Sequence, residues 1–228
     1  MRMAVTALHA AVEVEDAAAD EHRLEHAEIL ARDQRIAEGL AETRDMLRFA
    51  RAEGMRAQVT ISAAFGCPFE GEVKHDTVLA IAEAIAAEAP EEIALADTIG
   101  VGTPWEAGEL FGKLGDLLGG RIPMRAHFHN TRGTGIANVW AAVEAGASVV
   151  DAALGGLGGC PFAPGAAGNV ATEDLVLMLN SMGLRTGIDL DALLQVRSII
   201  EQALPGEPLY GFTPDAGPML DYRKRITR

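Results

Sequence analysis

Hydrophobic and polar positions settle into two alternating rhythms from about residue 33 onward. Ile36, Leu40, Leu47 and Ala50 recur at helical spacing, with Arg35, Glu42 and Arg51 on other faces. A helix beginning at Asp33 is predicted, with Gly54 placed to stop it. A strand-then-helix plan then repeats four times. Strands are predicted over 55–65, 91–100, 123–130 and 147–156, and helices over 74–89, 104–118, 134–146 and 172–182. The strands read as apolar on both faces, as expected of parallel strands covered by helices. Gly or Pro punctuates most junctions. The fold class is therefore α/β, with right-handed crossovers between parallel strands. Thr103 followed by Pro104 predicts the start of one helix, and Asp189 caps a further amphipathic helix over 189–203.

The two ends follow neither rhythm. Segment 13–28 is acidic and alanine-rich and carries almost no large apolar side chains. It predicts a leader over 1–32 that is a solvated helix or unordered. Residues 205–228 are proline-rich and end in the basic run DYRKRITR, which predicts an extended or partly ordered tail. Between them, 33–204 reads as one domain without an internal linker.

Composition narrows the function classes. Hydrophobic residues make up 49% of the 228, enough for a packed core. The formal net charge of −14 argues against nucleic acid and anionic membranes as partners. No apolar run reaches the ~18 residues of a membrane span, and no signal-peptide pattern opens the chain, so a cytoplasmic protein is expected. The two cysteines, Cys67 and Cys160, are too few for a disulfide framework.

Polar residues collect where the predicted strands end: Asp97, then His127 and His129, then Asp151 and the segment holding Cys160. In parallel α/β folds that rim is where active sites form. His127 and His129 flank Phe128 in a strand, so both imidazoles face one way and Phe128 the other. Such a pair can address one metal ion, or be two hydrogen-bonded rim histidines. GGLGGCPFAPGAAGN (155–169) is either a flexible surface loop or a mobile lid that brings the Cys160 thiol to a substrate. Asn169 can offer its side-chain oxygen to a metal or cap the helix that follows. Cys67, in a Gly/Pro turn, reads as structural. Asp97 is either a buried cap partner or a group that acts in the chemistry.

Several segments together carry a resemblance. ISAAFGCPFEGEV, ALADTIGVGTP, AHFHNTRGTGIANV and VVDAALGGLGGCPFAPGAAGNVATEDLVLML resemble the 3-hydroxy-3-methylglutaryl-CoA lyase family, from about residue 33 to 200. This family belongs to a metal-dependent TIM-barrel group that also contains isopropylmalate and homocitrate synthases. The resemblance implies that His127, His129 and Asn169 ligate Mg2+ or Mn2+. It implies that Cys160 takes part in proton transfer and that Asp97 assists the hydroxyl chemistry or orients the substrate. The implied reaction is the retro-aldol (Claisen-type) cleavage of 3-hydroxy-3-methylglutaryl-CoA to acetoacetate and acetyl-CoA. The alternatives are a Claisen-type acyl-CoA synthase and a catalytically dead interaction protein.

The sequence departs from the family pattern in two places. The family barrel opens on a strand bearing an Arg-Asp pair, the Asp a metal ligand and the Arg a stabiliser of the enolate oxygen, and no such motif occurs here. Asn130 and Arg132 also stand where the leucine-degradation enzymes often have Asp and Tyr. Four strand units against the eight of a closed barrel predict a partial barrel of four parallel strands, with an N-terminal helix and a C-terminal helical extension. Its exposed edges predict pairing with a second copy or with a complementing barrel half.

Overall fold

A computed structural model describes residues 8–15, 27–31, 33–159 and 168–217. The strand-helix plan is present at the predicted places. α1 (Asp33–Ala52) leads into β3 (Arg56–Ser62), α2 (His75–Ala86), β4 (Ile93–Asp97), α3 (Pro104–Leu118), β5 (Met124–Phe128), α4 (Gly135–Glu144), β6 (Val149–Asp151) and α5 (Thr172–Ser181). Strands β3, β4, β5 and β6 pair in parallel in that order. α6 (Leu190–Ala203) follows, capped by Asp189, whose carboxylate accepts the Ala192 N–H at 3.1 Å. Thr103 and Glu106 form a reciprocal capping box at the start of α3, with Pro104 in the first turn.

The expected leader differs. Residues Leu8–Glu15 (β1) and Ala27–Ala31 (β2) are strands, not a loose helix. β1 runs antiparallel along β3 from His9–Ser62 to Glu15–Arg56, and β2 pairs on its outer side. The sheet order is β2-β1-β3-β4-β5-β6. Two forces explain the change. Leu8, Ala10, Val12 and Val14 recur every second residue, the strand period. The outer edge of β3 also presents unpaired backbone groups that a neighbouring strand satisfies. The β3 edge, expected to be free, is therefore covered by β1, and β2 and β6 are the outer strands of the sheet among the described residues.

The strands are not all apolar on both faces either. β4, in the middle, is buried throughout. β3 and β5 alternate: Val59, Ile61, Ala126 and Phe128 are buried, whereas Gln58, Thr60, Arg125 and His127 are half-buried. The buried set meets α2 through Ile81 and Ile85 and α3 through Leu110, Phe111 and Leu114, in one continuous core. Burying a side chain of this size contributes roughly 1.5–3 kcal/mol. The alternate set lines the face that a closed barrel would enclose, and this face carries the polar chemistry.

Candidate active site

The site is built on the β5 strand. His127 lies opposite Asp151 of β6 and Ala96 of β4 in the sheet register, so these side chains share the inner face. Phe128 points the other way and packs against Phe111 of α3 and Phe65, with ring centroids 6.2 and 5.3 Å away. That packing fixes the strand's rotation and so aims the imidazoles on either side of it. His127 Nε2 and His129 Nε2 are 3.3 Å apart. Two nitrogens bound side by side to one octahedral cation at about 2.1 Å each would stand ~3.0 Å apart. The pair as it stands is within a few tenths of an ångström of that spacing.

The far side of His127 is also fixed. Its Nδ1 is 3.2 Å from Asp151 Oδ2, and Asp151 in turn accepts a hydrogen bond from Arg125 Nη1. Arg125 completes the row by a two-point pair with Glu92, at 2.7 and 2.6 Å. Burial pushes the Asp151 carboxyl up, but the hydrogen bond to His127 and the Arg125 charge more than offset it, so the group sits below the ordinary aspartate range. An ionised Asp151 favours the His127 tautomer that carries its proton on Nδ1 and has its lone pair on Nε2. A carboxylate behind a histidine is the usual support of a metal-bound imidazole. Asp151 was legible as a rim residue, but its support of His127, and that of Arg125 and Glu92, needed the β5–β6 register.

Asn169 pairs with His129 in an isolated antiparallel bridge, which places it beside the histidines. Its amide nitrogen donates to the Leu157 carbonyl at 2.8 Å, so the atom with ligand chemistry is Oδ1. It does not cap α5; Ala171 occupies that position. Among the described residues no group of three or more His, Cys, Asp or Glu converges as a metal site. The donor set that fits a hard divalent cation is the two imidazoles with the Asn169 oxygen, and it lacks an anionic member. Cys160 lies outside the described residues.

Asp97 is arranged differently. It ends β4 at the same end of the sheet, but its register partner is Phe128, which puts it on the helix-facing side rather than with the histidines. Its side chain is fully buried, and its two oxygens accept the N–H groups of Val101 and Gly102, each at 2.9 Å. Burial pushes its carboxyl up, opposed by those backbone N–H groups and by the Arg132 charge. The geometry is that of a loop anchor. A Cβ on Gly102 would come within 3.1 Å of both Asp97 and Phe65, a close approach that glycine spares the loop. Asp97 and the histidines thus share one rim but not one face. Cys67 is buried in the turn before Gly71, its Sγ accepting the N–H groups of Phe69 and Glu70.

Comparison with known proteins extends this picture. A family model described as HMGL-like matches residues 1–200, starting ahead of the region where the resemblance is legible by motif. An (R)-citramalyl-CoA lyase from Chloroflexus aurantiacus is 45% identical over 186 residues, 80% of this chain and 57% of the relative. A hydroxymethylglutaryl-CoA lyase from Pseudomonas mevalonii is 44% identical over 154 residues, covering 66% of this chain and 50% of the relative. The solved structure of an HMG-CoA lyase from Acinetobacter baumannii in complex with coenzyme A and 3-methylmalate superposes with a TM-score of 0.74 at 40% identity, covering 81% of this chain and 60% of that one. The chain spans about half the length of the curated relatives it matches. No helix among the described residues is long and apolar enough to cross a membrane. The chain belongs to the HMGL-like family.

Proposed function

We propose that this chain carries the metal-binding half of an acyl-CoA carbon–carbon lyase, with 3-hydroxy-3-methylglutaryl-CoA as the substrate. The supporting observation is the His127–His129 pair, with converging Nε2 atoms 3.3 Å apart and Asp151 behind His127. His127, His129 and Asn169 would hold Mg2+ or Mn2+. Such a cation, when bound, supplies Lewis acidity to the substrate hydroxyl and its neighbouring oxygen.

The chain's own residues have distinct tasks. His127 and His129, pinned by Phe128 packing and by Asp151, define where the substrate's oxygens sit. A solvent base takes the hydroxyl proton, the C2–C3 bond breaks, and its electron pair becomes the acetyl-CoA enolate while C3 becomes the ketone of acetoacetate. Cys160 returns a proton to C2 of the enolate. A thiol fits this step because its pKa lies nearer neutrality than that of a hydroxyl. Asp97 acts from the helix side, orienting substrate by holding the 97–102 loop.

Enolate stabilisation is the electrostatic task that the missing Arg-Asp strand performs in the family pattern. Losing one such stabiliser typically costs ~10²–10³ in rate. The β6 edge is one place where further strands would pair, supplied by a complementing half or a second copy. The test is acetoacetate formation by the chain alone and by the chain fused to the N-terminal half of a relative. The expectation is near-background activity alone and a Cys160-dependent rate in the fusion. A folded fusion that cleaves neither this substrate nor citramalyl-CoA would overturn the lyase reading. The second substrate is included because a citramalyl-CoA lyase is among the relatives at 45% identity.

A further inference from the structure

The Gly155–Leu157 turn, with Gly168 and Asn169 beside it, forms a neck that is gripped by groups the reaction scheme does not use. Glu173 on α5 is fully buried, and both its oxygens lie 3.1 Å from the Gly155 N–H. Arg197 on α6 is 7% exposed and donates through Nη1 to Glu173 at 2.8 Å. The same nitrogen donates to the Tyr210 carbonyl at 2.7 Å, and Tyr210 N–H returns to the Gly155 carbonyl, also at 2.7 Å. Asp174 accepts the N–H groups of Phe212 and Thr213, which ties the same strap of chain to α5.

The strap lies close over the turn. Gly155 and Gly156 both have φ of +64°, and a Cβ on Gly155 would come within 2.9 Å of Leu209. On the other side of the neck a Cβ on Gly168 would collide with the Gly156 carbonyl. Leu157, the next residue of the turn, accepts the Asn169 amide. A continuous line therefore runs from Arg197 through Glu173 and the Gly155 turn to Asn169.

We infer that Arg197 is a positioning residue for this neck, and through it for the Asn169 side chain. A buried carboxylate without its cation would recover solvation by moving outward, taking the Gly155 N–H with it. The strap would lose its Arg197 anchor at the same time. Guanidinium suits the task because one planar group reaches Glu173, Tyr210 and, through Nε at 3.0 Å, Glu201.

The inference rests on the proposed function only for its second readout. The first is amide hydrogen exchange on the full chain in wild type, Arg197→Met and Arg197→Lys. Arg197→Met should raise exchange at Gly155 and Tyr210 about tenfold or more while β4 and β5 amides keep their protection, and Arg197→Lys should recover part of it. Unchanged exchange at Gly155 and Tyr210, or the same increase in β4 and β5, would overturn the inference, since the second pattern is only a loss of global stability. The second readout is Mn2+ affinity in the fused barrel, expected to fall about tenfold in Arg197→Met and to recover in Arg197→Lys. A fusion that binds no Mn2+ in wild type counts against the proposed function, and the exchange data still decide the role of Arg197.

Discussion

Asp97 and His127 both stand near the C-terminal ends of neighbouring parallel strands, yet the structure gives them opposite fates. Asp97 faces the helices, is fully buried, and has both oxygens occupied by backbone N–H groups of its own loop. His127 faces the inner side, is about a quarter exposed, and turns one nitrogen to Asp151 and the other toward His129. One is a polar group consumed by the fold; the other is a polar group presented by it. A polar residue at the rim of a parallel sheet is therefore a candidate only until its hydrogen bonds are counted and its face is known.

The comparison breaks most visibly in stability. Phe128→Ala removes the ring between the two histidines and should cost about 3–5 kcal/mol, the range for deleting a fully buried aromatic side chain. Asp97→Ala strands the Val101 and Gly102 amides and should cost about 2–4 kcal/mol. His127→Ala, which empties a partly exposed position, should leave the urea midpoint much closer to wild type than either. A His127→Ala loss as large as that of Asp97→Ala would show that the histidine too is consumed by the fold.

Asp151→Asn sharpens the comparison on the ligand side. It keeps the shape but removes the charge that orients His127, and should weaken Mn2+ binding by about 10-fold or more, as loss of such support typically does. Asp97→Asn should leave Mn2+ affinity unchanged. Titration of both variants in the fused barrel checks this, and equal losses would put Asp97 back beside the histidines.

The smallest effect is in pH dependence, where the two aspartates should leave marks of opposite sign. Asp151 is held below the ordinary aspartate range, so its contribution to stability is present above the unfolded value near ~3.9 and is lost as pH falls through the lower folded value. Asp97 is held above that range, so the folded state binds its proton more tightly than the unfolded chain does. Its contribution therefore declines as pH rises from ~3.9 through the higher folded value. Urea midpoints measured across the acid range should show Asp151→Asn flattening the loss on acidification. Asp97→Asn should instead flatten the decline as pH rises. Matching changes of the same sign would contradict the two environments.

The sequence was most informative where a local rule decides the outcome. α1, the four strand-helix units, the Thr103 and Asp189 caps and the opposed faces of His127 and Phe128 all follow from periodicity or from capping chemistry. Three features did not. The leader's strands depend on an open edge of β3 that exists only once the sheet is assembled. The face taken by Asp97 depends on its register with Phe128, not on its own neighbours. The supports of the site, Asp151 with Arg125 and Glu173 with Arg197, join residues 24 to 26 positions apart across different elements. Charged residues at such separations carry no local pattern, so pairing had to be seen rather than read.

The central claim is that His127 and His129 form one divalent-cation site. Isothermal titration of Mn2+ into the chain joined to the N-terminal half of a relative tests it most directly, with His127→Ala and His129→Ala in parallel. One Mn2+ per chain, lost in either variant while both remain folded, is the predicted result. Undiminished affinity in either variant would contradict the claim.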